Sequence, residues 1–130
     1  MKRVTGLGGV FFKTADPQKM KEWYGKHLGF PVDEYGASFR SIDIDTNAPV
    51  STVWSPFKQD TTYFNPSEKA FMLNYRVENL VALLKVLKEE GVQIIGEIEE
   101  YPYGKFGWII DPEGNKIELW EPNEEGSHTL

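Results

Sequence analysis

The residues of this chain that could do chemistry are few, and they gather around one carboxylate. In Lys116-Ile117-Glu118-Leu119-Trp120 the glutamate stands two positions from a lysine and two from a tryptophan. On an extended strand those three side chains share one face. A carboxylate facing inward needs a cation or hydrogen-bond donors, or its pKa rises. Arg76, Lys13 and Lys116 are the candidate cations. Two roles stay open for Glu118: one half of a structural ion pair, or a group that binds substrate or acts as a general base.

The other titratable groups offer less. The chain has no cysteine, which removes disulfides, thiolate metal sites and thiol nucleophiles. Of its two histidines, His27 falls near a helix end, where the dipole favours a positive imidazole, and His128 lies in the tail. That tail, from Glu124 to Leu130, lacks apolar periodicity and is expected to fray. Glu97, Glu99 and Glu100 bring carboxylates alone to one strand, so they read as a solvated acidic edge and not as a metal cluster.

Aromatic side chains supply the remaining candidates. Phe11, Trp54, Tyr103, Phe106, Trp108 and Trp120, together with Met72, Asn74 and Arg76, give the mixture expected of a small-molecule pocket: large apolar walls and a few polar groups. The competing reading is that the tryptophans fill space between two packed halves. Alternation sends Glu118, Trp120 and Lys116 to one face, with Ile117 and Leu119 on the other, and by the same rule groups Phe11 and Lys13 with Gly9, Asn74 and Arg76 with Met72, and Trp54 with Thr52. Arg40 and Asp43 have no clear parity.

The elements that must position these residues form an internal repeat. Asp16 can cap a helix that starts at Pro17 and runs through Met20, Trp23, Tyr24 and Leu28 to Gly29. Asn79 can cap a second, with Leu80, Leu83, Leu84 and Leu87 on one stripe and Gly91 closing it. A β-like run precedes each helix, and extended segments follow. Asp111-Pro112-Glu113-Gly114-Asn115 is a tight-turn sequence that predicts a hairpin. Matching Val53-Trp54 with Leu119-Trp120 aligns the last strands of the two halves, with Pro56 against Pro122.

Length and charge narrow the functional classes. A chain of 130 residues suits one domain, with 40% hydrophobic and 14% aromatic residues to fill its core. A net charge of −6 and the absence of a basic run argue against nucleic acid and anionic membranes. No stretch approaches the roughly 20 apolar residues of a membrane span, and no signal-peptide pattern opens the chain, so a cytoplasmic location is expected.

Gly9-Val10-Phe11-Phe12-Lys13-Thr14-Ala15-Asp16, Trp23-Tyr24 before His27-Leu28-Gly29-Phe30, and Asp111 through Leu119 resemble the two ends of vicinal oxygen chelate proteins, the superfamily of glyoxalases, bleomycin-resistance proteins and extradiol dioxygenases. The resemblance implies an α+β fold of two tandem β-α-β-β-β units pairing into a curved mixed sheet around a cleft. Unit one would span about 4–57, a linker about 58–69 and unit two about 70–123, within a single domain of 1–130. It also implies metal ligands on the first and last strands of each unit, and the matching positions are Gly9, Thr52, Met72 and Glu118. Of these only Glu118 is an ordinary ligand for a hard or borderline divalent ion, so neither a metal nor a cofactor is expected. The resulting expectation is a protein that binds a small apolar or aromatic molecule without metal, and, as in many proteins of this fold, a homodimer. The alternative is a lyase, isomerase or dioxygenase of the glyoxalase type that uses Glu118 and an atypical metal site.

Overall fold

The computed structural model describes residues 2–123, so His128 and the 124–130 tail lie outside the described residues. Strand β1 (Val4–Thr14) leads into helix α1 (Pro17–Leu28), then β2 (Ala37–Ile42) and β3 (Pro49–Lys58). The second unit repeats the plan with β4 (Phe71–Val77), α2 (Leu80–Glu89), β5 (Gln93–Tyr101), β6 (Gly104–Ile110) and β7 (Lys116–Glu121). All seven strands join one sheet in the order β2-β3-β1-β4-β7-β6-β5. Its parallel pairs are β1 with β3 and β4 with β7, and β1 meets β4 antiparallel at the centre, so the two units are related about that seam. This is the α+β mixed sheet expected of two tandem units.

Unit one differs in one respect. Only two strands follow α1, and in the place of the third the chain makes a single bridge between Val32 and Ala37. The segment 30–36 turns instead on Asp33, whose Oδ1 accepts from the backbone N–H groups of Tyr35 and Gly36. That Asx turn competes with strand pairing for the same backbone groups.

Both predicted helix starts are present. Asp16 accepts from the Lys19 N–H and Asn79 from the Ala82 N–H, each satisfying an amide that the helix itself leaves unpaired. Gly29 ends α1 at φ 66°, a left-handed angle that glycine adopts without steric cost. The turn between β6 and β7 closes through Asp111, which accepts from the N–H groups of Glu113 and Asn115.

The sheet is covered on both faces. On one, α2 buries Leu80, Leu83 and Leu84 against Val77 and Leu119, with Ile94, Ile109 and Ile117 beside them. α1 packs on the same face through Tyr24, which with Phe12 and Phe30 surrounds Trp54. The opposite face carries Met72, Phe106, Trp108 and Trp120, and Phe64 from the linker completes that cluster. The linker is therefore part of the core.

Candidate ligand-binding site

A cavity of about 330 Å³ opens on the face away from the helices. Both units and the linker contribute to it: Phe11, Ser55 and Phe57 from the first, Asn74, Tyr103, Phe106, Glu118 and Trp120 from the second, and Tyr63 between them. Strand alternation explains the grouping. Glu118 and Trp120 follow Lys116 at intervals of two on β7, while Ile117 and Leu119 face α2, as the sequence predicted.

Glu118 forms the floor and is 1% exposed. Asn74 Nδ2 donates to Oε1 at 2.6 Å, and Trp108 Nε1 donates to Oε2 at 2.9 Å. The Tyr63 hydroxyl donates to Oε2 as well. Parallel pairing sets Asn74 directly beside Glu118, and antiparallel pairing sets Trp108 on its other side. Burial pushes the Glu118 carboxyl above its ordinary range against the opposing pull of these donors. The same burial, then the adjacent carboxylate, raises the Tyr63 phenol.

None of the expected cations bonds to Glu118. Lys116 donates to the Tyr63 carbonyl at 2.8 Å, and its ammonium lies 5.3 Å from the Tyr63 ring centre and 5.5 Å from that of Trp108. Burial lowers its pKa and Glu118 partly offsets this. Arg76 shares the parity of Asn74 but lies outside the cavity lining. Its Nη1 donates to the carbonyls of Leu7 and Ser51, each at 2.7 Å. Lys13 stands over the Phe64 ring at 5.8 Å. The carboxylate is held by neutral donors, so the predicted ion pair gives way to a hydrogen-bonded network.

Of the ten candidates, Phe11, Asn74, Tyr103, Phe106, Glu118 and Trp120 line the cavity, and Met72 and Trp108 pack immediately behind it. Trp54 is a correction: it lies on the α1 face with its ring 4.6 Å from that of Tyr24. Arg76 is the other, for the reason just given. The error over Trp54 traces to alignment. Pairing sets Phe11 beside Ser55 in unit one and Asn74 beside Glu118 in unit two. A single offset of 63 residues carries 16 onto 79, 11 onto 74 and 55 onto 118. Matching Trp54 with Trp120 implied 66, and an odd slip of three turns every side chain to the wrong face. The residue of β3 equivalent to Glu118 is thus Ser55, not Thr52.

Sequence reasoning also missed Ser55, Phe57, Tyr63, Phe64 and Tyr35. Ser55 and Phe57 follow once the β3 register is known. Tyr63 and Phe64 sit in a segment without period, and their only signal was an aromatic pair inside an otherwise polar linker.

The residues do not suit the metal site that the fold resemblance implies. Gly9 has no side chain, Met72 is an apolar core residue, Ser55 donates its hydroxyl to the Tyr35 carbonyl, and both oxygens of Glu118 already accept hydrogen bonds. Among the described residues no group of three His, Cys, Asp or Glu converges. Glu97, Glu99 and Glu100 lie exposed on edge strand β5, and His27 is exposed at the end of α1 against Trp23.

The floor is also tightly fitted. A Cβ at Gly8 would stand 2.1 Å from Asn74 Oδ1, so a glycine there lets β1 lie against the amide. That same Oδ1 is buried without a hydrogen-bond partner.

Comparison with known proteins agrees with this architecture. Residues 6–119 match the model of the Glyoxalase/Bleomycin resistance protein/Dioxygenase superfamily. No curated protein sequence matches the chain. Among solved structures, methylmalonyl-CoA epimerase from Mycobacterium tuberculosis superposes with a TM-score of 0.62 at 22% identity, covering 95% of this chain and 91% of that one. A methylmalonyl-CoA epimerase variant from Streptomyces coelicolor gives 0.68 at 13% identity, covering 92% and 98%. The Mn(II)-bound glyoxalase from Novosphingobium aromaticivorans gives 0.62 at 17%, covering 93% of this chain and 40% of that one. At these identities the likeness is one of fold.

Proposed function

Because this chain belongs to the Glyoxalase/Bleomycin resistance protein/Dioxygenase superfamily, we propose that it is a binding protein that holds a small aromatic or apolar molecule in its cleft without a metal. The observation that carries this reading is the cavity itself. Aromatic side chains from both units wall it, and at its floor is a carboxylate whose two oxygens are engaged by protein donors. Such walls favour a ligand by removing apolar area from water, at roughly 25 cal/mol per Å² before the cost of immobilisation. A carboxylate engaged by three donors orients the walls and is poorly placed to ligate a divalent ion.

Two tryptophans test the assignment, because they occupy opposite faces. Trp120→Ala is expected to weaken binding of a neutral aromatic probe such as phenethyl alcohol by at least roughly tenfold, read by calorimetry. Trp54→Ala is expected to lower stability by about 3–5 kcal/mol with affinity unchanged in the folded fraction. Unchanged binding in Trp120→Ala would remove that residue from the site.

A homodimer through unit one belongs to the same reading. Edge strand β2 exposes Phe39 and Ile42, and Ile44 beyond it is 95% exposed. The opposite edge, β5, carries Glu97, Glu99 and Glu100, which discourage strand pairing.

A further inference from the structure

We infer that the preferred ligand carries a positive charge: an aromatic or apolar molecule bearing a protonated amine. This rests on the binding-protein reading above and adds the ligand's chemical class. Three observations converge on it.

The first is the charge of the lining. Asp33 and Glu118 are the acidic residues of the lining, and among the described residues that line it none is Lys, Arg or His. An anionic ligand would find no cation in the lining itself, while a cation would meet the acidic lining in a partly desolvated space.

The second is hydrogen-bonding capacity. The donors around the floor are engaged within the protein: Tyr63, Asn74 and Trp108 donate to Glu118, Trp120 Nε1 donates to the Tyr103 carbonyl at 3.0 Å, and Ser55 donates to the Tyr35 carbonyl at 2.6 Å. Asn74 Oδ1, an acceptor without a partner, lies buried against β1 beneath this floor. With these floor donors engaged, a ligand group that donates without accepting, such as an ammonium, forgoes the least there.

The third is the walls. Phe57 and Tyr63 stack at 5.7 Å, and Phe106 and Trp120 stack at 6.0 Å. Aromatic faces attract cations, most strongly where water is excluded. The protein already uses this chemistry next door, where the Lys116 ammonium rests against the rings of Tyr63 and Trp108. Asp33 at the Asx turn holds the complementary charge at the cavity wall.

The test compares three molecules of similar shape by calorimetry on the full chain: phenethylammonium, phenethyl alcohol and hydrocinnamate. The expected order is ammonium tighter than alcohol by roughly tenfold, with hydrocinnamate weakest. Asp33→Asn preserves the acceptor that holds the 33–36 turn, and it should narrow the ammonium-to-alcohol affinity ratio. Equal or tighter binding of the alcohol or the carboxylate, or a ratio unmoved by Asp33→Asn, would overturn the cation preference and leave the aromatic-binding reading intact. Failure of all three molecules to bind would overturn both.

Discussion

At Glu118 the chain buries a carboxylate and stabilises it with a phenol, an amide and an indole in place of a cation. The direction of its pKa makes this testable. Because burial raises the folded-state pKa above the ordinary 4.5, the folded protein holds this proton more readily than the unfolded chain. The resulting stabilisation is present below pH 4.5 and is lost as pH rises through the folded pKa. Glu118→Gln should destabilise at low pH by about 1–3 kcal/mol, since one donor is left without an acceptor. The gap between wild type and variant should then shrink as pH rises above 4.5, measured by urea unfolding across pH. A gap that widened with pH would mean that the anion is the form the fold favours. That Glu118 and Trp120 share the cleft was legible in the sequence, because β7 alternates cleanly between Ile117 or Leu119 and the inward set. Tyr63 was not, since a linker has no period to reveal which way a side chain points.

Among the elements, β3 and the linker account for most of what the sequence concealed. β3 has bulky residues on both faces, Val53 and Phe57 towards the cavity and Trp54 towards α1, so alternation alone could not assign its sides. The helices were readable because Asp16 and Asn79 precede apolar stripes at the right spacing. In unit one the expected third strand after the helix yields to the Asp33 turn, which needs only a carboxylate and two backbone amides. The linker acts as a structural element through Phe64, which is fully buried among Phe57, Met72 and Trp108. Phe64→Ala should therefore cost about 3–5 kcal/mol in chemical unfolding, as a core truncation does. A loss within 0.5 kcal/mol, the range typical of surface sites, would show that the linker merely crosses the cleft.

For the whole molecule, the two units build one sheet whose faces do different work: one packs the helices, the other shapes a cavity. Unit one leaves Trp23, Leu28, Ile42 and Ile44 exposed, and pairing through this side should give twice the mass of one chain by light scattering. Ile42→Lys should shift that species to the single-chain mass; a single-chain mass for wild type across concentrations would exclude the dimer. The pseudo-symmetry itself was legible from the repeat, and its register required the structure.

The four tryptophans distribute themselves so that one spectrum can test the central claim. Trp120 lines the cavity and Trp108 donates to its floor, whereas Trp54 packs under α1 and Trp23 is half-exposed on that helix. Titrating the ¹⁵N-labelled protein with phenethyl alcohol and following the indole N–H resonances should move Trp120 and Trp108 along saturating curves with one shared dissociation constant, while Trp54 and Trp23 stay in place. Saturable shifts confined to Trp54 or Trp23, or no shift at any of the four up to the solubility of the probe, would contradict a ligand site in this cleft.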